Sequence, residues 1–303
     1  MEDLRRGALV RNVCGSSFSD YSRESNGWTF LSEKTTPVSS GKIIQRVRDM
    51  EPLAQEGLCR ITLSLADGKR LMGIRYSDWL LGAPSIETGI AASSMAQDEW
   101  GHARLLYAML ENFGMDPVAV EHTRPPEEYA NPPALDESPE NWAALVVASI
   151  VVDGALSVML EGFGEGVYEP ARTRVPKMLA EEAFHQDLAV AWFLRLADGS
   201  TTGRSRLRDA ALSMLGSTLA WLTPTDEIGE SQSAYGLVPE SSVLFSRFAD
   251  RYGDMLSLID IDVAVVDPDR GEWDSDRGRG PGHPDEESVA RVRGDPNRML
   301  LVE

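Results

Sequence analysis

Two of the four histidines in the chain lie in the same short pattern, a glutamate followed three residues later by a histidine. The two copies are Glu99–His102 and Glu182–His185. On a helix, positions i and i+3 share a face, so each pair can direct a carboxylate and an imidazole toward one point. Mixed nitrogen and oxygen ligation suits redox-active iron, with manganese as the alternative, better than structural zinc. For a single such pair, the competing interpretation is a surface ion pair.

Each pattern is preceded along the chain by a predicted helix that carries one acid within an apolar stretch, Asp78 in the first case and Asp153 in the second. A helix with one acid followed by a helix with Glu-x-x-His thus occurs twice along the chain. This order is that of carboxylate-bridged two-metal four-helix bundles. Four carboxylates would balance the charge of two Fe²⁺ ions, and two neutral imidazoles would complete the coordination. Glu99 and Glu182 are the predicted catalytic carboxylates. The predicted ligands of this di-iron centre are Asp78, Glu99, His102, Asp153, Glu182 and His185.

Two further acids stand next to the patterns. Asp98 and Glu181 each lie four residues before a patterned histidine. They are second choices as ligands, and we expect them either to support the site from outside it or to be surface groups. Tryptophans at helical spacing are interpreted as core packing: Trp79, Trp100 and Trp192.

Apolar periodicity and helix-ending residues predict an all-α protein, a four-helix bundle with additional C-terminal helices. Ser85 is a predicted N-cap, Gly114 a helix stop, and Ser138–Pro139 the opening of the third bundle helix. The segment 259–266 could form a short strand. The predicted helices cover about 53–81, 85–113, 139–162, 170–199, 202–222 and 239–258. The predicted regions are an irregular arm over 1–50, the bundle over 51–260 and a flexible acidic tail, rich in Gly, Pro and Arg, over 261–303.

Composition limits the partners and the location of the protein. The chain has 48 acidic and 29 basic residues and a formal charge of −19, which argues against binding to nucleic acid or to an anionic membrane surface. One apolar run, Trp142 to Leu160, is long enough to suggest a membrane span, but Asp153 in its middle would be costly in lipid. We interpret it as a buried core helix. Two cysteines and no signal-peptide pattern predict a cytoplasmic protein.

The quoted motifs resemble those of a known family. Met95–His102 and Glu181–Gln186 resemble the metal motifs of the catalytic subunits of ring-1,2-phenylacetyl-CoA epoxidases, and Val152–Ala155 is similar to their third-helix segment. Trp192–Gly199 is more similar to the structural, non-metal paralogue of those subunits. The resemblance extends over about 53–258. The chain departs from it in having Asp78 where the catalytic subunits have glutamate, and in a shorter connection from there to Glu99.

The resemblance implies a ferritin-like fold and a monooxygenase that uses O₂ and a di-iron centre to hydroxylate or epoxidise a CoA thioester. No flavin or nicotinamide motif is present, so the electrons would come from a separate reductase. A homologous helical subunit or a second copy of the chain is the implied partner. Two alternatives stay open: a structural subunit without a working centre, and a ferritin-like protein that handles iron or peroxide.

Overall fold

The structure, a computed structural model, describes residues 42–295. Four long helical segments form the core. α1 packs against α2 and α5, and α6 packs against α5 and α2, so the four close into a bundle. Within residues 42–295 there are two isolated β-bridges and no strand, as predicted for an all-α fold. The helices are α1 (Pro52–Asp78), α2 (Ile86–Tyr107), α3 (Pro117–Thr123), α4 (Trp142–Ala148), α5 (Gly154–Glu165), α6 (Glu169–Gly199), α7 (Thr201–Leu222), α8 (Glu227–Ala234), α9 (Ser241–Ser257) and α10 (Glu286–Arg293).

Local capping explains where the bundle helices begin and end. The Ser85 hydroxyl accepts a hydrogen bond from the Thr88 amide, which confirms the predicted N-cap of α2. Gly114 has φ of +75°, a conformation that glycine adopts without strain, and it ends the 3₁₀ extension of α2. The third bundle helix starts later than predicted. Its cap is Asn141, whose side chain accepts from the Ala144 amide, rather than Ser138–Pro139.

The apolar segment from Trp142 to Glu165 is one continuous helical rod made of α4, a π-helical turn and α5, and its most apolar 18-residue stretch is fully buried. This confirms its interpretation as a core helix. The π-helical turn spans Ser149–Asp153. Such turns are uncommon and are often found at functional sites, because the extra residue re-aims the side chains that follow. Here the turn ends on Asp153, one of the predicted ligands.

The segment after α9 differs from its prediction. Residues 263–265 form a 3₁₀ turn rather than a strand, and α10 packs on α1 and α3. Arg279 is fully buried, and its guanidinium donates to Asp136 and to the Asn131 side chain. In the part of the predicted flexible tail that the structure describes, charged residues make specific ion pairs with the bundle. Residues 1–41 of the predicted arm and 296–303 of the tail lie outside the described residues.

We predict that Arg279→Ala lowers the free energy of unfolding by about 3 kcal/mol or more, because it leaves Asp136 partly buried without its cation. Urea denaturation followed by circular dichroism measures the change. Arg204→Ala is the matched control, since Arg204 pairs with Asp260 at the surface and its loss should change stability by less than about 1 kcal/mol. Equal effects of the two substitutions would contradict the assigned role of Arg279.

Candidate metal centre

Four of the six predicted ligands converge inside the bundle. Glu99 comes from α2, Asp153 from the π-helical turn, and Glu182 and His185 from α6. One potential ligand atom from each lies within 4.8 Å of all the others, and all four residues are buried. Glu99 Oε2 has no hydrogen-bond partner, and His185 Nδ1 makes no well-aligned hydrogen bond to the acids around it. Because buried polar atoms nearly always have one, this group could bind a metal ion.

His102 lies beside this group and is buried with it. Its Nδ1 is 3.0 Å from Glu182 Oε1, and its Nε2 is 2.8 Å from Glu181 Oε2 on the partner helix. His185 makes the corresponding contact from α6 to α2: its Nε2 is 3.4 Å from Asp98 Oδ2 on α2. Each histidine therefore turns Nδ1 inward and its outer nitrogen toward an acid on the opposite helix. Asp98 and Glu181 thus lie outside the converging group, each beside the outer ring nitrogen of a histidine on the opposite helix, where such partners help to orient a ring.

The structure does not bring Asp78 to this group. Its carboxylate is 2.5 Å from the Arg291 guanidinium and also accepts a hydrogen bond from Ser138. It lines a groove of about 500 Å³ between the end of α1 and the start of α10. The partner of this aspartate is therefore an arginine of α10.

The α1 residue that reaches the centre is Lys69. Its Nζ is 2.5 Å from Glu182 Oε1, 2.7 Å from Asp153 Oδ1 and 3.1 Å from Glu99 Oε1, and its side chain is 0% exposed. Lys69 precedes Asp78 by nine residues, which is about 13.5 Å and two and a half turns, so the two side chains leave α1 on opposite faces. An ammonium group thus stands where the sequence predicted a carboxylate from this helix.

The next turns of α1 on the same face supply no acid either. A Cβ at Gly73 would collide with Trp100 Nε1, so the indole of α2 fills the space beside this position. One turn further, the Tyr76 hydroxyl donates to Asp153 Oδ2 at 2.8 Å. From the rod, the Ser157 hydroxyl donates to Glu182 Oε2 at 3.0 Å. The face of α1 toward the centre therefore presents a cation and hydrogen-bond donors.

The pKa values of the centre follow from burial and from the charges around each group. Burial would lower the pKa of Lys69, but the charges of Asp153, Glu182 and Glu99 outweigh it and raise that pKa well above its usual value. Burial would raise the pKa of Glu182, and Lys69 and the two histidines hold it well below its usual value. Burial and the neighbouring carboxylates raise the pKa of Glu99 to about 8. Lys69 therefore carries a positive charge here.

The residues at the centre do not fit two metal ions. The predicted set had six donors, whereas five of them are present and the sixth position holds a cation. Even when all three carboxylates are ionised, as metal ligands would be, they carry only three negative charges, and the Lys69 ammonium already neutralises one of these. Two divalent ions beside this ammonium would leave excess positive charge in a buried site, which is unfavourable. The predicted di-iron ligation is not supported by this arrangement in its His102 half.

Sequence reasoning missed Lys69, Tyr76 and Ser157. Lys69 did carry a signal, because lysine occurs only four times in the chain and this one lies in a helix whose neighbouring residues are mostly apolar. Tyr76 and Ser157 carried no local signal, since both residue types are common in helix interiors next to the core.

Comparison with known proteins agrees with this geometry at the level of the family. Residues 31–287 match the family described as phenylacetic acid catabolic protein. The chain belongs to this family. It is 25% identical to one of the subunits of the 1,2-phenylacetyl-CoA epoxidase of Escherichia coli (strain K12) over 197 residues, which span 63% of this chain and 63% of the relative. The family therefore includes subunits of an oxidoreductase, and its members share the all-α fold described above.

Proposed function

We propose that this chain is a non-catalytic helical subunit of a cytoplasmic oxygenase assembly that acts on a CoA thioester. Oxygen activation would take place on a homologous subunit with a complete two-iron centre, and a separate reductase would deliver electrons to that subunit. The observation that carries the proposal is the Lys69 ammonium, which is fully buried and held by all three carboxylates of the centre. A site that is already neutralised in part by its own cation is poorly suited to a second metal ion.

The space around the centre supports the same proposal. The cavity between Tyr76 and the tryptophans Trp142 and Trp192 has a volume of about 20 Å³, which is room for about one water molecule. An acyl group needs far more space than this. The larger groove of about 500 Å³ is lined by Asp78, Glu137, Asp285 and Glu287 against one arginine, and such a lining repels the phosphates of CoA.

A role inside an assembly agrees with the surface of α2 and α6. Large apolar side chains are exposed on both helices, with Ile86 at 80%, Ile90 at 62% and Phe184 at 75% exposed. Exposed apolar side chains are typical of protein–protein interfaces where they form a contiguous patch. The relative from E. coli is itself one subunit of an epoxidase, by its name. A homologous subunit is therefore the partner that we propose.

The second candidate is the function that the resemblance implies, a di-iron monooxygenase subunit. It is favoured by the convergence of four predicted ligands, with His102 beside them, and by two buried potential ligand atoms that make no well-aligned hydrogen bond. Two iron ions would supply the reductive activation of O₂ in such an enzyme. Lys69 would then have to leave the centre to make room for them.

His102→Gln separates the two candidates. The assembly is isolated from the native host through a tag on this chain, and its conversion of phenylacetyl-CoA is measured with O₂ and reductant. As a subunit without its own two-iron chemistry, the variant should assemble and retain activity within about two-fold. A loss of roughly 100-fold or more with intact assembly would establish the monooxygenase, since even indirect partners of a catalytic metal matter by 10- to 100-fold. His122→Gln, outside the centre, is the matched control.

A further inference from the structure

The two halves of the centre are unequal. In the half around His185, Nδ1 is 3.2 Å from Glu99 Oε1, 3.7 Å from Asp153 Oδ2 and 3.7 Å from Glu182 Oε2. Ligands about 2.1 Å from a common ion are about 3.0–3.5 Å apart in tetrahedral or octahedral sites. The distances from this nitrogen to the three carboxylate oxygens thus already come close to the spacing of ligands to a single ion, and one potential ligand atom of each residue lies within 4.8 Å of the others. In the half around His102, the inward nitrogen faces only Glu182.

Two of the three carboxylates, Asp153 and Glu182, turn one oxygen toward Lys69 and the other toward His185. Glu99 Oε1 lies near both Lys69 Nζ and His185 Nδ1. The second oxygens of Asp153 and Glu182 each accept one hydroxyl hydrogen bond, from Tyr76 and Ser157, and a carboxylate oxygen has a further lone pair. The second oxygen of Glu99 has no partner. The Lys69 ammonium therefore has its hydrogen-bond acceptors, and enough potential ligand atoms remain to bind one further cation.

The charge balance of the centre also indicates one further cation. Three carboxylates and one ammonium leave a net charge of −2, and one divalent ion brings this to zero with the histidines neutral. We propose that the centre binds one divalent first-row metal ion through Glu99, Asp153, Glu182 and His185, and that the Lys69 ammonium is its permanent second cation. A single change of charge at position 69 then decides whether the site takes one ion or two. This proposal concerns the number of bound ions and does not depend on the proposed function.

Metal titration of the full chain tests the proposal. Protein freed of metal with EDTA is titrated with Mn²⁺, and unbound Mn²⁺ is measured by electron paramagnetic resonance. We expect one ion per wild-type chain and two per chain for Lys69→Glu, which adds the missing carboxylate. Two ions in the wild type, or no saturable binding, would overturn the proposal, as would a single ion in folded Lys69→Glu.

Two histidine variants keep the proposal testable if Lys69→Glu does not fold. His185→Gln removes a ligand and should weaken Mn²⁺ binding by at least about 10-fold, with loss of the Mn²⁺-induced rise in Tm. His102→Gln removes only a partner of the ligand Glu182, so it should leave the stoichiometry at one ion and weaken Mn²⁺ binding clearly less than His185→Gln does. Equal losses in the two variants would overturn the assignment of the ion to the His185 half. The readouts are binding and Tm, whereas the proposed function is tested by turnover of the assembly.

Discussion

Replacing Lys69 with methionine lowers the free energy of unfolding of the metal-free protein by about 3 to 5 kcal/mol, the range found when one partner of a buried ion pair is removed. Methionine keeps most of the volume of the lysine stem but removes the ammonium. Glu99, Asp153 and Glu182 would then lie within a few ångströms of one another with no cation between them. Some of their charge would be relieved by proton uptake, which itself destabilises the folded state at neutral pH. Urea denaturation in EDTA measures the loss.

The specificity of this effect can be checked in two ways. Lys177→Met removes a lysine whose side chain is 77% exposed, and it should change stability by less than about 1 kcal/mol. Saturating Mn²⁺ should restore much of the stability of Lys69→Met, since a bound cation takes over the role of the ammonium. A loss below about 1 kcal/mol in Lys69→Met would show that the ammonium does not hold the three carboxylates together.

Arg124→Met should lower the free energy of unfolding by a similar amount, about 3 to 5 kcal/mol. Arg124 and Asp67 form a fully buried pair, and the Tyr107 hydroxyl donates to the same carboxylate at 2.6 Å. The Asp67 carboxylate also accepts the Ala130 amide, so it fixes the segment after α3 against α1. Without the guanidinium, this carboxylate would remain buried with neutral donors only. Thermal and urea denaturation measure the change.

Arg251→Met is the control for Arg124. Arg251 pairs with Glu161 at 2.8 Å, but both side chains are about one third exposed, so solvent weakens the pair. We expect a loss below about 1 kcal/mol there. If Arg124→Met were as mild, the buried pair would be no more important than a surface pair, and the tight attachment of this segment to α1 would need another explanation.

The bundle itself could be predicted from local signals. Ser85, Gly114 and the Ala197–Gly199 stretch mark helix ends through capping chemistry that acts within a few residues. The spacing of Glu99 with His102, and of Glu182 with His185, predicted that α2 and α6 face one another across a buried polar site. Each of these signals lies within a single helix, so it could be recognised from the amino-acid sequence alone.

The role of α1 at the centre could not be predicted in the same way. Asp78 and Lys69 both lie on a helix with an apolar face, and the choice between them depends on which face turns inward. That choice is made by partners far along the chain, such as Arg291 for Asp78 and the three carboxylates for Lys69. A search for carboxylate ligands also does not detect a buried lysine. A lysine can nevertheless be buried where three acids surround its ammonium group.

The C-terminal segment shows a second limit of composition. Its content of Asp, Gly, Arg and Pro is typical of disordered tails, because such residues bury little apolar surface. Here the same residues make tight turns and ion pairs, as between Asp274 and Arg277 and between Arg279 and Asp136. Apolar residues of α10, Val289 and Val292, are buried as well. These contacts depend on complementary charges on the bundle, which the composition of the segment alone does not indicate.

Anomalous diffraction from crystals of the wild-type protein grown with Mn²⁺ tests the central claim most directly. The claim is that Lys69 is the permanent cation of one half of the centre. It predicts one anomalous peak, bounded by Glu99, Asp153, Glu182 and His185, with the Lys69 ammonium still in contact with the three carboxylates. Two peaks about 3.5 to 4 Å apart, the separation of paired catalytic metals, with Lys69 turned away, would contradict it.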